Sequence, residues 1–204
     1  MSLLLALAGC ARPLTPAEAG FARDLFGPSL DATKVEVAQG VGITPLYRTE
    51  VRKVTRVQGT DKACVRTPQP RGAQPPQAFA FRNRVHFETG LYSSDMVINW
   101  PEQLRIPQAL VLAHELTHVW QWQNRARTGY SPRRAVAESW RLADPYFSDG
   151  DQAFFAFGYE QQAALVEDFV CFSFANPTHP RRAELRAILA PVFPVADFEA
   201  ALER

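Results

Sequence analysis

Five residues, His114-Glu115-Leu116-Thr117-His118, constrain this chain more than any others. They lie inside an apolar-periodic run from Ala109 to Gln123, which predicts a helix. Residues i and i+4 of a helix stand one above the other. His114 and His118 can therefore aim both imidazoles at one metal ion. Glu115 follows the first histidine, and its carboxylate can reach a water activated there. Two histidines beside a carboxylate base form the donor pattern of hydrolytic zinc sites. Only three of the five positions are fixed, and ordinary helices carry the same pattern by chance, so the rest of the chain has to decide.

The chain has 204 residues, 47% of them hydrophobic, with a formal net charge of +1. That is enough for one globular domain with a core. Near-neutral charge gives no general argument for nucleic acid. The densest basic stretch, Arg48 to Arg71, reads as a solvated sheet face. Beyond the N-terminus no apolar run reaches the roughly 18 residues of a membrane-spanning helix.

The first ten residues, Met-Ser-Leu-Leu-Leu-Ala-Leu-Ala-Gly-Cys, end in Leu7-Ala8-Gly9-Cys10, which fits a bacterial lipobox. No Lys or Arg precedes the apolar stretch, which is short for a signal segment. On this reading residues 1–9 are a lipoprotein signal, Cys10 is lipidated, and 10–204 form one anchored domain. Ala11 is not an inner-membrane retention signal, so the periplasmic face of the outer membrane is the expected location. Cys64 and Cys171 remain, and an exported compartment permits them to pair. Their placement, one in a polar loop and one on an apolar helix, leaves pairing open.

The elements read as α+β. Thr15-Pro16-Ala17-Glu18 starts a helix that Gly27-Pro28 ends. Val35–Val37, Val51–Val57, Phe79–Phe81 and Arg84–Glu88 read as strands, the last two a hairpin around Asn83. Thr67–Gln77 is a Pro-rich loop. The metal-site helix is expected from Pro107 to about Arg125–Thr128, with Gly129 as its C-cap. Further helices are expected over Gly158–Phe174, Pro180–Leu189 and after Pro194. Trp120, Trp122, Trp140 and the Phe154–Phe155–Phe157 cluster read as packing.

A hydrolytic zinc site needs a third protein ligand and an open fourth position. Cys64, His86 and His179 compete for that place, but Glu160, at the head of the second apolar helix, is the leading candidate. Glu167, two turns further on, is its main rival. Tyr130, Tyr159 and His179 are candidates to donate a hydrogen bond to an oxyanion.

His114–Gln121, H-E-L-T-H-V-W-Q, followed by Gly158-Tyr159-Glu160-Gln161-Gln162-Ala163-Ala164-Leu165-Val166-Glu167-Asp168, resembles the gluzincin type of zinc metallopeptidase. More narrowly it resembles a bacterial family of uncharacterised metallopeptidase-like domains. Some of these are linked with contractile injection systems, and some are known as Vgr-related proteins. Arg12–Glu18 and Val85–Ser93 also look familial, so the similarity spans most of the chain after Cys10. The resemblance implies a zincin-like α+β fold, with a small, mainly antiparallel sheet packed on the HExxH helix and a second, Glu-bearing helix. It implies one Zn2+ per chain on His114, His118 and Glu160, with Glu115 as general base. It also implies that an edge strand, Val85–Glu88, pairs with an extended substrate. Gluzincins often carry an Asp four residues after the third ligand to orient the first histidine. Ala164 stands there, so either Asp168 or another acid orients the histidine or the support behind that ligand is weakened.

The function so implied is peptide-bond hydrolysis by a zinc-activated water, with Glu115 taking the proton. The expected partners are a peptide or protein substrate and a membrane, through Cys10, with no nucleic acid. Two alternatives use the same residues: a zinc-binding scaffold lipoprotein without turnover, and an injected or secreted proteolytic toxin.

Overall fold

The computed structural model describes residues 11–40, 64–65, 77–141 and 150–204, the side chains of 139–141 excepted. The lipobox with Cys10, the Val51–Val57 strand, most of the Pro-rich loop and of the basic stretch, and the Trp140 side chain lie outside the described residues. No described helix is long and apolar enough to cross a membrane.

The architecture is α+β: a four-stranded sheet and, among the described residues, seven α-helices. The strands are β1 (Ala11–Pro13), β2 (Glu36–Gln39), β3 (Ala78–Phe81) and β4 (Arg84–Phe87), in the order β1-β2-β4-β3. β1–β2 and β3–β4 are antiparallel, whereas β2 and β4 run parallel. The sheet is therefore mixed, a correction to the expected mainly antiparallel one. A second correction concerns β4. It lies between β2 and β3, so its backbone is already paired on both sides, and among the described residues the edge strand next to it is β3.

The first helix, α1 (Pro16–Phe26), starts as its sequence dictates. Thr15 Oγ1 accepts from Glu18 N–H at 3.1 Å, and Glu18 Oε2 accepts from Thr15 N–H at 2.8 Å. Glu18 is fully buried, holds the Arg12 guanidinium at 2.6 and 2.7 Å, and accepts Met96 N–H at 2.8 Å. One carboxylate thus ties β1, α1 and the loop before the metal-site helix together.

That helix, α2 (Gln108–Gln123), is buried around most of its circumference, at thirteen of sixteen residues. A helix hydrophobic all round belongs in a core. It lies against the sheet on one side and packs most extensively on α5 (Tyr159–Ala175) on another. Leu112, Leu116, Val119 and Trp120 are fully buried; each such side chain contributes about 1.5–3 kcal/mol of transfer free energy. α2 stops earlier than its periodicity predicts. Asn124 Nδ2 donates to Trp120 O at 2.9 Å and to Ser29 O at 2.8 Å, closing the helix. The chain restarts as α3 (Arg125–Thr128) and turns at Gly129, whose φ of 68° suits a residue without Cβ.

The sequence reading missed α4 (Pro132–Arg141), although Ser131-Pro132 is a helix start: Ser131 Oγ accepts from Arg134 N–H at 3.3 Å. α6 (Pro180–Leu189) and α7 (Val195–Leu202) fall where expected. Cys64 and Cys171 form a disulfide, with Cα atoms 5.6 Å apart, which ties the segment holding Cys64 to α5.

Candidate metal centre

α2 and α5 lie face to face, and their polar residues meet at one place. His114 Nε2 and His118 Nε2 stand 3.1 and 3.2 Å from Glu160 Oε2. The two imidazoles are 5.0 Å apart at 75°, converging on that carboxylate. One donor atom from each of the three residues lies within 4.8 Å of the others. With bonds of roughly 2.0–2.2 Å, tetrahedral zinc separates its ligands by about 3.4 Å. The donor set and its spacing therefore fit a divalent metal, with Glu160 rather than Glu167 beside both Nε2 atoms.

Glu115 is 5% exposed, and its Oε2 has no hydrogen-bond partner among the described residues. A buried carboxylate oxygen without a partner is costly unless a ligand or water meets it. It supports the fit independently of the spacing. Burial raises the Glu115 pKa above the ordinary carboxylate value, although His118 and His114 oppose the rise.

Each histidine is held from its far side. His114 Nδ1 lies 3.2 Å from Glu167 Oε2. Glu160 and Glu167 are two turns apart on one face of α5, so one helix carries both the carboxylate at Nε2 and the one at Nδ1. Glu167 occupies the place that the missing acid at Ala164 leaves open. Asp168 is one residue, about 100°, further round the helix. His118 Nδ1 lies 2.9 Å from Gln121 Oε1. The Gln121 amide donates to Tyr159 O at 3.1 Å and to Gln162 Oε1 at 3.0 Å, and Gln162 donates to Phe157 O at 2.8 Å.

Within the cluster, burial works against a charge on His114. The hydrogen bonds and charges of Glu160 and Glu167 outweigh it and raise its pKa to about 10. His118 moves the same way: Glu160 overcomes its burial. Burial pushes Glu160 upward, but His118 and His114 together take it well below the usual carboxylate value.

The remaining candidates separate by placement. Tyr130 is buried, its ring 6.2 Å from that of His118 and 5.2 Å from that of Tyr159. Its hydroxyl makes no hydrogen bond among the described residues; burial and the charges of Glu160 and Glu115 hold it protonated. Tyr159 instead donates its hydroxyl to Thr128 O at 3.4 Å. His179 caps α6, accepting from Arg181 N–H at 3.1 Å, and stacks on Phe172 at 4.5 Å. His86 stacks on Phe79 at 4.6 Å, with Nδ1 3.2 Å from Gly40 O. Cys64 is in the disulfide.

One contributor came from a helix the sequence did not reveal. Glu138 of α4 accepts Tyr159 N–H at 2.5 Å, capping the turn of α5 that carries Glu160. A Cβ on Gly158 would lie only 2.4 Å from Glu138 Oε1, so glycine gives the cap its room.

No family model matches the sequence, and no curated protein is significantly similar to it. Among solved structures, the fold is similar to the effector domain of Pseudomonas aeruginosa VgrG2b. The TM-score is 0.54 with 21% identity, over 92% of this chain and 89% of that one. At that identity the likeness concerns the fold, and it links this α+β architecture to a Vgr-related protein.

Proposed function

We propose that this protein is a zinc-dependent peptidase, with His114, His118 and Glu160 holding the metal and Glu115 acting as general base. The observation that carries the reading is the unpartnered, buried Glu115 Oε2 beside three converging donors. Zinc, when bound, would supply Lewis acidity toward a carbonyl and lower the pKa of water.

The chain's own residues then have distinct tasks. Glu115 takes a proton from the attacking water and returns it to the leaving amine. Tyr130, protonated and free to donate, stabilises the developing oxyanion. Glu167 and Gln121 fix the two imidazoles. The substrate lies along β3, which packs on α2. The turn between β3 and β4 is two residues long, Arg82–Asn83, so Phe81 and Arg84 form the closing hydrogen-bonded pair. Glu88 N–H donating to Gln77 O at 2.8 Å keeps the same alternation. Ala78 and Ala80 consequently turn their N–H and C=O groups to the outer edge of β3, which no strand among the described residues occupies and which an extended peptide would pair with.

The likeness to an effector domain favours one variant of this reading, in which the hydrolysed protein belongs to another cell. The lipobox favours the other, a lipoprotein of the bacterial envelope anchored through Cys10. The Cys64–Cys171 pairing supports an oxidising compartment for either. Mass spectrometry of the mature N-terminus separates them: an acylated Cys10 excludes a diffusing effector, and an intact Met1 excludes the lipoprotein.

Metal content and hydrolysis of unfolded protein substrates, in the parent and in Glu115→Gln, test the function. The expectation is one zinc per chain in both, with hydrolysis in the parent alone. Zinc without hydrolysis by the parent leaves the scaffold reading; no zinc uptake overturns the metal site.

A further inference from the structure

A second site lies at the β3–β4 turn, built from different residues. Two guanidinium groups lie over the Trp122 ring, Arg82 at 5.5 Å and Arg125 at 4.6 Å. Arg82 also covers Phe81, at 5.4 Å, and Phe81 is 50% exposed at the end of the edge strand. Arg82 has a φ of 58°, an unusual conformation for a residue with a side chain. Neither arginine forms an ion pair among the described residues. Trp122 and Arg125 also line a groove of about 310 Å³, together with Ser29, Asp31, Lys34, Asn83 and Gln123.

The hydrogen-bond inventory of this groove is one-sided. Gln123 Oε1 accepts Asp31 N–H at 2.7 Å, and its amide donates to Asp31 O and Asn83 Oδ1 at 3.2 and 3.1 Å. Ser29 Oγ donates to Phe26 O and accepts from Trp120 Nε1. Asp31 Oδ1 is taken by Thr33, and Oδ2 by Lys34 Nζ at 2.8 Å. The side-chain acceptors are thus spoken for. Among the described residues the donors are left over: the Asn83 amide, the Trp122 indole N–H, the Arg82 guanidinium and most of that of Arg125, whose Nη1 donates to Trp122 O. Lys34, Arg82 and Arg125 outweigh Asp31 in charge. Tryptophan and arginine together are the side chains that anchor protein interfaces.

We infer that this groove docks an acidic segment of a protein partner, its carboxylates on Arg82, Arg125 and Asn83 and its apolar groups on Trp122 and Phe81. The inference does not depend on the metal chemistry, so it is tested in the Glu115→Gln protein with metal withheld. The probe is a fluorescein-labelled peptide alternating Glu and Ser, followed by anisotropy at low and high salt. Saturable, salt-sensitive binding is expected. It should weaken by at least about tenfold in Arg82→Glu/Arg125→Glu, and also fall in the gentler Arg82→Gln/Arg125→Gln. Arg23→Glu/Arg133→Glu, which changes net charge equally at two exposed positions elsewhere, should leave it intact. Equal loss in both Glu pairs, no saturable binding, or displacement by inorganic phosphate as readily as by unlabelled peptide each overturns the proposal. So does retention on phosphatidylglycerol vesicles without peptide binding.

Discussion

His118 Nδ1 and Gln121 Oε1 are 2.9 Å apart on successive turns of α2, and that contact fixes where the imidazole carries its proton. Phe157 O and Tyr159 O can only accept, so Gln162 and Gln121 must both present their amide nitrogens to them. Gln121 Oε1 is then an acceptor, and neutral His118 holds its proton on Nδ1. Its Nε2 lone pair faces Glu160, as a metal ligand requires. Gln121→Leu removes the acceptor and buries an orphaned N–H. Zinc affinity, measured by competition with a chromophoric chelator, should fall about 10–100-fold; unchanged affinity would refute the tautomer assignment.

Glu160 and Glu167 both touch His114 but on opposite ring nitrogens, so their substitutions should differ in kind. Glu160→Ala is expected to abolish stoichiometric zinc. Glu167→Gln should keep zinc at roughly 10–100-fold weaker affinity. The reverse ranking would make Glu167 the ligand.

Tyr130→Phe deletes the free hydroxyl and little else. Loss of one oxyanion donor costs about 2.7–4 kcal/mol, so kcat should fall about 10²–10³-fold with zinc content unchanged. An unaltered kcat would remove Tyr130 from the chemistry.

The metal-free cluster has a definite pH signature. His114 is raised from 6.5 to about 10, so its contribution is complete below pH 6.5 and lost as pH rises toward 10. Glu160 is lowered, so its contribution is present above pH 4.5 and lost as pH falls through its depressed value. Glu115, raised by burial, adds a cost that grows as pH rises above the ordinary carboxylate value of 4.5. With chelator present, the melting temperature should therefore decline between pH 6.5 and 10. Zinc takes the place of those protons, so the gain in melting temperature on adding it should grow over the same range. A gain independent of pH would refute this coupling.

The Cys64–Cys171 pair closes a span of 107 residues. Replacing both cysteines by alanine should lower stability by about 2–4 kcal/mol, read from denaturant midpoints. Thiol labelling of the unfolded, unreduced parent should find neither cysteine; labelling of both would show that they are not paired.

The helices of the site were legible because apolar periodicity and caps are local signals. His114, His118 and Glu160 could be assigned to α2 and α5 before their contact was known. Partners across space were less legible. Glu167 was visible at two turns from Glu160, but its placement on His114 Nδ1 depends on how α2 and α5 pack. Gln121 has no motif of its own. Glu138 sits on α4, a short and strongly charged helix that follows the Ser131-Pro132 start and carries no motif to mark it. The sheet was misread for the same reason. The β3–β4 hairpin follows from its turn, whereas the parallel pairing of β2 with β4 joins residues 48 positions apart, such as Glu36 and Arg84. No local pattern records that pairing, which moves β4 away from the edge.

All three donor residues, Glu115 and both groups that steady the imidazoles come from α2 or α5, while the backbone edge left unpaired among the described residues belongs to β3. On the proposed function, metal retention and substrate choice are therefore inherited through separate parts of the chain. Sequence drift in the hairpin can redirect such a protein to a new target while the helix pair keeps its ion. Damage to Glu115 or Tyr130 can silence it and leave a metal-loaded, fully folded descendant.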